Sequence, residues 1–374
     1  MGEDEIPSAS GFFMSESEKF IQRALDLAEK GRGFTSPNPM VGAVVVKDGI
    51  ILGEGYHAKF GREHAEVIAL RQAGEKARGA ELYVNLEPCC FYGKTPPCVE
   101  AIIAAGIRKV YIAMLDPNPR VNGQGIAALQ AAGIEVQVGI LEEAARNLNR
   151  GFISLMTKNR PWITLKLALT ADGFIADASG RSRYLTGETA RKYVKQQRQQ
   201  HDAVAVGLGT VFKDDPELLP LDRQNFIPRR IVFDEQFNIP GRMKLVTDEH
   251  RSRTLILTGA HQKVEKAKHF HGLGVAVEEV PLDQFGWIDI TAAFQRLGEL
   301  GITSVYCEGG SQLAGSLINA RLVDELQLFY APKILGMGLR SFSGIMKSLD
   351  EAIKLQWTEL KQFDEDIFIR GIIS

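Results

Sequence analysis

Apolar residues at Phe20, Ile21, Ala24, Leu27 and Ala28 fall on one helical face, which predicts a helix over Ser17–Lys30 stopped by Gly31. The two prolines of SPNPM (36–40) fit neither a helix nor a central strand, so that stretch reads as a loop. Val41–Val46 and Ile50–Glu54 then flank Asp48-Gly49, a strong hairpin signal. Downstream, HAEVIALRQAG predicts a helix closed by Gly74, ELYVNLEP a strand, and CVEAIIAAG a helix entered after Pro96 and Pro97. KVYIAMLDP is a strand, and GIAALQAAG and IEVQVGI give one more helix and strand. This alternation predicts a three-layer α/β domain, closed by LEEAARNLNRGFISLMTKNRP as a helix ending before Pro161. The pattern restarts at PWITLKLALTADG, a largely apolar strand interrupted by Lys166. DAVAVGLGTV, RRIVFD and TLILTG read as buried strands, and SVYCEGGSQLAGSLINARLVDELQLFYAPKI as strand, glycine turn, helix, strand. This is again α/β, on a mainly parallel sheet. The expected organisation is an extension or leader over 1–14, a first domain over 15–158 and a second over 159–374.

Composition narrows the function classes. With 374 residues, each domain is large enough to bury a core without disulfides. Basic residues number 44 and acidic ones 46, so the basic stripe of a nucleic-acid grip is missing. RKYVKQQRQQ (191–200) reads as a solvated helix face. No apolar run is long enough to span a bilayer, and Met1–Phe13 lacks the basic start and apolar stretch of a signal peptide, with Met14 a second possible start. Four cysteines do not make a disulfide framework in a chain of this size, so the expected state is reduced and cytoplasmic.

Three of those cysteines lie in NLEPCCFYGKTPPC (85–98). A disulfide, a closed structural zinc site using Cys90 as fourth ligand, and an open catalytic site are the alternatives. Upstream, GREHAEVIAL supplies His64 and Glu66 at a helix start. His64, Cys89 and Cys98 are one imidazole and two thiolates, a donor set suited to zinc. Three protein ligands leave the fourth position to water, and adjacent cysteines do not easily share one ion, so the open site is preferred. Zinc activates water near neutral pH for attack on a ring carbon bearing an amine. Glu66 would take the water's proton and pass it to the departing ammonia. This His-x-Glu, Pro-Cys, Cys order is the zinc-deaminase pattern, although eight residues rather than two separate the cysteines here. Cys307, in SVYC, reads as a small buried apolar residue.

Together PNPMVGAVVV, HAEVIAL, EPCCFYGKTPPC and DPNPRVNGQGI resemble the deaminase half of the bifunctional riboflavin-biosynthesis deaminase–reductase. PWITLKLALTADG, GLGTVFKDDPEL and VYCEGGSQLAGSL are similar to that family's reductase half, and the likeness runs from about Ser17 to the C-terminus. It implies a cytidine-deaminase-like domain followed by a dihydrofolate-reductase-like one, with two consecutive reactions. A diamino-hydroxy-phosphoribosylamino-pyrimidine loses its ring amine, and NADPH then reduces the opened ribose of the product to a ribityl chain. The resemblance further implies zinc on His64, Cys89 and Cys98, with Glu66 as proton shuttle. Asn38 and His57 become base- or metal-side contacts, and Lys94 lies near the substrate. The family's histidine two positions after the first zinc cysteine is Phe91 here.

In the second half, hydride transfer requires a cofactor. Gly309, Gly310 and Ser311 precede an apolar-periodic helix, as a phosphate cradle would, although a Gly-Gly pair is often only a turn. GLGT (207–210) lacks the third glycine of a Rossmann fingerprint. Lys166 on a buried strand needs a partner or a phosphate, unless its head snorkels to solvent. Asp214 caps a turn or contacts a ligand, and Glu308 binds hydroxyls or pairs with a neighbour. By the resemblance Ala168, Tyr184, Thr210, Asp214 and the segment Gly310, Ser311, Gln312, Leu313, Ala314, Gly315 and Ser316 face NADPH. Lys166, Ser182, Arg198, Leu218 and Glu308 face the phosphoribosyl group, with Arg198 shaped for its phosphate. The family's tryptophan is Tyr184 here, and its phosphate-binding arginine is Leu221, for which Arg223 is the nearby substitute. Family members form dimers or tetramers.

Two rival readings remain open on residues alone. One is a nucleic-acid or nucleoside deaminase with an accessory reductase-like domain, since base-flipping deaminases share the zinc chemistry. The other is a regulatory protein with an inactive reductase half.

Overall fold

The structure is a computed structural model that describes residues 14–93, 95–259, 263–345 and 347–373. Lys94 and Met1–Phe13 lie outside the described residues. Among the described residues no helix is long and apolar enough to cross a membrane. The chain forms two compact units, one of residues 1–35 with 39–149 and one of 36–38 with 150–374.

The first unit runs α1 (Glu16–Glu29), β1 (Gly42–Lys47), β2 (Ile50–Tyr56), α2 (Ala65–Ala73), β3 (Glu81–Leu86), α3 (Cys98–Ala105), β4 (Lys109–Met114), α4 (Gln124–Ala131), β5 (Glu135–Val138) and α5 (Glu142–Leu148). α1 starts with a capping box: Ser15 accepts from the Glu18 amide while the Glu18 carboxylate receives the Ser15 amide. The β1–β2 hairpin turns at Asp48 (φ 52°) and Gly49 (φ 75°), the paired left-handed residues that an Asp-Gly turn supplies. The sheet order is β2-β1-β3-β4-β5, antiparallel through β3 and parallel thereafter. Val45, Leu82, Val84, Ile102, Val110 and Ile112 fill one core beside it. The C-terminal ends of β3 and β4, where parallel strands release their chains into loops, are the ends that carry the cysteine stretch and the 115–123 loop.

The second unit runs α6 (Arg150–Lys158), β6 (Trp162–Thr170), β7 (Phe174–Asp177), α7 (Glu188–Gln199), β8 (Ala203–Gly207), α8 (Leu208–Asp214), β9 (Arg229–Phe233), α9 (Lys244–Thr247), β10 (Thr254–Thr258), α10 (Val264–Gly272), β11 (Ala276–Glu279), α11 (Ile290–Glu299), β12 (Ser304–Cys307), α12 (Ser311–Asn319), β13 (Glu325–Ala331), β14 (Gly338–Arg340), β15 (Leu355–Phe363) and β16 (Asp366–Ile373). Its large sheet has the order β11-β10-β9-β8-β12-β6-β13-β16-β15, parallel from β11 to β13 and antiparallel at β16 and β15. On β6, Ile163, Leu165, Leu167 and Leu169 enter the main core. Strand alternation therefore turns Lys166 and Ala168 to the opposite face.

Two expectations change. The helix predicted across Leu141–Arg160 is two helices broken at Asn149, whose buried side chain accepts the Met40 amide at 2.8 Å and donates to the Met40 carbonyl at 3.0 Å. The units divide there, so α6 belongs to the second unit, where Arg150 pairs with Glu325 and Lys158 with Asp324. DAVAVGLGTV is a strand only as far as Gly207; Leu208–Asp214 is a helix. Short apolar runs do not distinguish a strand from a buried helical turn.

Candidate active site

In the first unit, two helix N-termini meet the end of a strand. His64 is the residue preceding α2, Cys98 is the first residue of α3, and Cys89 lies just past β3. Their candidate ligand atoms lie within 4.8 Å of one another. His64 Nδ1 is 3.2 Å from Cys98 Sγ and 3.6 Å from Cys89 Sγ, and the Cys98 amide donates to Cys89 Sγ at 3.3 Å. The other ring nitrogen, Nε2, sits 3.3 Å from Thr95 Oγ1, which leaves Nδ1 aimed at the thiols. At the start of α3, the hydrogen bond with Cys89 and then burial hold the Cys98 thiol well above the usual range, so of the two cysteines Cys89 is the thiolate. The Cys98 thiol and His64 draw Cys89 below the usual thiol range in spite of burial. Among the described residues this is the one cluster of metal-ligating type, and its sulfur and nitrogen donors fit zinc.

Glu66 supports that fit. It is buried on the first turn of α2, and its Oε2 has no hydrogen-bond partner. A buried carboxylate oxygen without a partner implies a missing polar ligand beside it. Burial, and then the charge of Cys89, hold Glu66 above the usual carboxylate range. His57, directly after β2, faces the ring of His64 edge-on at 5.4 Å and meets the Glu63 carbonyl through Nδ1 at 3.0 Å. Burial lowers its pKa, so it is neutral beside the ligands. Asn38 is in the 36–38 segment that groups with the second unit.

The second unit collects its candidates at the C-terminal edge of β8, β12 and β6. Glu308 follows β12 and receives Arg198 as a two-pronged pair, Nε–Oε1 2.5 Å and Nη2–Oε2 3.0 Å. Arg198 Nη1 also donates to the Leu219 carbonyl at 2.8 Å. Arg198, expected to await a phosphate, is thus engaged with Glu308. Burial pushes Glu308 up, but Arg198 and then Lys166 outweigh it and hold the carboxyl below its ordinary range. Lys166 makes no hydrogen bond or ion pair among the described residues, and its ammonium lies 5.7 Å from the centre of the Phe329 ring. Burial lowers its pKa, with Glu308 opposing.

Gly310 caps α12, and a β-carbon placed there would lie 3.9 Å from Thr210 Oγ1 on α8. The turn after β12 and the helix after β8 therefore share one open corner. Further along α12, a β-carbon on Gly315 would sit 1.9 Å from the Ser343 carbonyl, so only glycine admits that strand of chain. Leu313 and Ala314 enter the core instead of facing that corner. Asp214 pairs with Arg183 at 3.6 Å, which ties the Ser182–Tyr184 loop to the end of α8. Tyr184 is exposed, with the Arg191 guanidinium 5.1 Å from its ring centre. Leu218 adopts φ 54° and buries its side chain, leaving only its backbone for a ligand. A backbone N–H cluster at a helix start, with half-buried Lys166 on β6 and the pair of Arg198 on α7 with Glu308 just past β12, fits a phosphorylated dinucleotide and a sugar phosphate.

Comparison with known proteins agrees on both halves. The cytidine and deoxycytidylate deaminase zinc-binding region matches residues 14–114, and the RibD C-terminal domain matches residues 161–369. The riboflavin biosynthesis protein RibD of Aquifex aeolicus is 42% identical over 356 residues, 94% of this chain and 97% of that protein. The chain belongs to the RibD family. Its Escherichia coli relative, also named riboflavin biosynthesis protein RibD, is 40% identical over 368 residues, 94% of this chain and 98% of that protein. The Acinetobacter baumannii RibD structure matches with a TM-score of 0.85 at 36% identity, covering 96% of this chain and 99% of that one. A Thermotoga maritima structure described as a diaminohydroxyphosphoribosylaminopyrimidine deaminase/5-amino-6-(5-phosphoribosylamino)uracil reductase matches at 0.84 and 36% identity, with the same coverage. Membership places a deaminase and a reductase of riboflavin biosynthesis on one chain, in a cytidine-deaminase-like unit followed by a RibD reductase unit.

Departures from the RibD pattern have definite places. Phe91 lies under the Arg120 guanidinium, 4.0 Å from ring centre to carbon. Arg223 is half exposed and paired with Glu217 at 2.8 Å. Leu221 donates its amide to the Lys195 carbonyl of α7 and leaves its side chain partly exposed. Sequence reasoning missed Glu87, whose buried carboxylate receives four backbone amides of the 116–126 loop. Its place immediately before Pro-Cys was the available signal. It also missed Asn85, which accepts the Gly42 amide at 2.8 Å and donates to the Met40 carbonyl at 3.0 Å, fixing the loop into β1.

Proposed function

We propose that the first unit deaminates 2,5-diamino-6-(5-phosphoribosylamino)pyrimidin-4-one and that the second reduces the ribosyl group of the resulting aminouracil with NADPH. The convergence of His64, Cys89 and Cys98 beside a buried, unpartnered Glu66 oxygen carries the first half of this reading. His64, Cys89 and Cys98 would hold a zinc ion, which would lower the pKa of a bound water so that it can lose a proton near neutral pH and act as the nucleophile. Glu66 accepts that water's proton on Oε2 and returns it to the amine nitrogen as the carbon–nitrogen bond breaks, releasing ammonia while the ring carbon gains oxygen. Burial holds the Glu66 carboxyl above its ordinary range, which strengthens it as the acceptor of the water's proton before it passes that proton on. His57, neutral and packed against His64, orients that ligand and lines the base side.

In the second unit NADPH supplies the hydride. The Gly310–Ser311 amides and Thr210 would hold its phosphates, with Ala168, Asp214, Tyr184 and Gln312, Gly315 and Ser316 of α12 around them and with Leu313 and Ala314 packed behind in the core. Lys166 is the cation left for the substrate's phosphoribosyl group, while Arg198, Ser182 and the Leu218 backbone shape its entry. Glu308 fixes Arg198 and offers its oxygens to ribose hydroxyls. Arg223, engaged with Glu217, would join the phosphate only by leaving that exposed pair. Lys94 belongs to this reading as a substrate contact of the deaminase half. The same reading places the chain in the cytoplasm, as a dimer or tetramer of identical subunits. Its free cysteines are consistent with a reducing compartment.

Mass spectrometry of the diaminopyrimidine phosphate incubated with enzyme, with and without NADPH, tests both halves. Deamination without NADPH, followed by reduction only with it, is expected. Deamination that never proceeds to reduction with NADPH present would refute the second half, and no mass change in either incubation would refute the first.

A further inference from the structure

A cavity of 470 Å³ opens in the second unit where β6 and β13 begin, walled in part by Ile318, Val323, Ile353 and Ile373. That volume is within the range of small-molecule sites. Its polar lining is one-sided. Lys158, Arg160, Arg321, Lys347 and Lys354 face two acids, Asp324 and Glu351, for a formal lining charge of +3.

Asp324 is already fully engaged, and Glu351 offsets only part of the surplus, through Lys347. Asp324 receives both prongs of Arg160 at 2.7 and 2.9 Å, Lys158 at 2.7 Å and the Ile163 amide at 2.8 Å. Four donors fill the lone-pair positions of one carboxylate. Glu351 is turned onto the amide and hydroxyl of Ser348, each at 3.1 Å. Arg321, Lys347 and Lys354 make no ion pair among the described residues. Arg321 is also held at φ 54° just past α12, a position where glycine is the ordinary choice. The end of a helix presents carbonyls, not N–H groups, so any anion bound here must be held by side chains. Like charges gathered around a low-dielectric concavity focus a positive potential into it.

The cavity is apart from the reductase groups. Arg160 and Asp324 precede β6 and β13, whereas Glu308 and Gly310 follow β12, and these three strands are parallel. The two sites therefore lie at opposite ends of neighbouring parallel strands of one sheet. We propose that this cavity binds a small phosphate ester, with the phosphate between Arg321, Lys347 and Lys354 and an apolar or planar body against Ile318, Ile353 and Ile373. The known chemistry of the chain does not require such a site.

The test is isothermal titration of AMP into full-length protein kept saturated with NADPH, with adenosine as the uncharged comparison. One AMP site is expected, together with no adenosine binding. Arg321→Ala combined with Lys354→Ala, both exposed side chains, should weaken AMP by at least about tenfold and leave NADPH-dependent turnover unchanged. Lys347→Glu is a second variant expected to do the same. The proposal is overturned if wild-type protein takes up no AMP, if adenosine binds equally well, or if AMP affinity is the same in the variants as in wild type.

Discussion

Glu87 is the residue whose replacement tests most directly how the deaminase loops are held. It is 2% exposed and stands one residue before Pro88-Cys89. Oε2 accepts the amides of Asp116 (3.2 Å) and Gly123 (3.0 Å), and Oε1 those of Gly125 (3.0 Å) and Ile126 (3.3 Å). A β-carbon on Gly125 would sit 2.3 Å from the Pro88 carbonyl, so the start of α4 is pressed against the cysteine stretch. Glu87→Gln retains one acceptor oxygen but turns an NH₂ group toward two of these N–H donors. At about 1–3 kcal/mol for each of the two donors left without a partner, the loop should lose about 2–6 kcal/mol. Amide hydrogen exchange reads this locally: about 2 kcal/mol corresponds to roughly 30-fold faster opening at Gly123, Gly125 and Ile126. Deamination should fall with it, because Cys90 Sγ meets the Arg120 carbonyl of the same loop at 3.7 Å. Reduction, in the other unit, should not change. Unchanged exchange at these amides in an enzyme that has lost deamination would refute the scaffolding role, and uniform acceleration throughout the first unit would refute its local character.

Other consequences can be checked alongside. Glu66→Gln should lower deamination by about 10²–10⁴-fold without affecting NADPH-dependent reduction of separately prepared aminouracil; an equal loss in both assays would contradict the assignment. Removing metal with a chelator should abolish deamination and leave reduction intact, with activity restored by added zinc, and Cys98→Ser should lose that restoration. Gly315→Ala places a β-carbon 1.9 Å from the Ser343 carbonyl, so a penalty of about 1–3 kcal/mol should appear as a raised KM for NADPH in steady-state assays. Glu308 is held below its ordinary pKa, so its contribution to stability is complete above the unfolded value near 4.5 and is lost as pH falls through the lower folded value. Arg198→Met should cost about 3–5 kcal/mol at pH 7 by leaving that carboxylate buried without its main partner. The deficit should shrink as pH falls and Glu308 takes up a proton; denaturant titrations of the reductase unit at several pH values would show a constant deficit if the pair were irrelevant.

What was legible in the sequence follows from how local its cause is. Asp48-Gly49 announces its turn because few other residue pairs take two left-handed conformations in succession. His64, Cys89 and Cys98 could be grouped because their chemistry is rare, with His64 and Cys98 at helix starts and Cys89 at a strand end that the sequence also marks. Beyond its place before Pro-Cys, nothing in the sequence points to the role of Glu87, since its four partners are backbone amides 29 to 39 residues away, and any sequence can supply an amide. Asn149 was hidden for the same reason: a helix-compatible residue in a helix-compatible run breaks the helix by bonding to Met40, 109 residues away. Arg198 shows how far chemistry can be inferred without its partner. A guanidinium near a phosphate site was read as a phosphate ligand, yet Glu308, 110 residues on, occupies its fork. Residue type fixes what a side chain can bind, and tertiary geometry decides which of the eligible partners it meets. Lys166 is the converse case, for its strand position alone required that a buried ammonium face either an anion or a ligand. The structure supplies Glu308 at electrostatic range but no direct ion pair among the described residues, so the hydrogen-bonding capacity of the ammonium stays open.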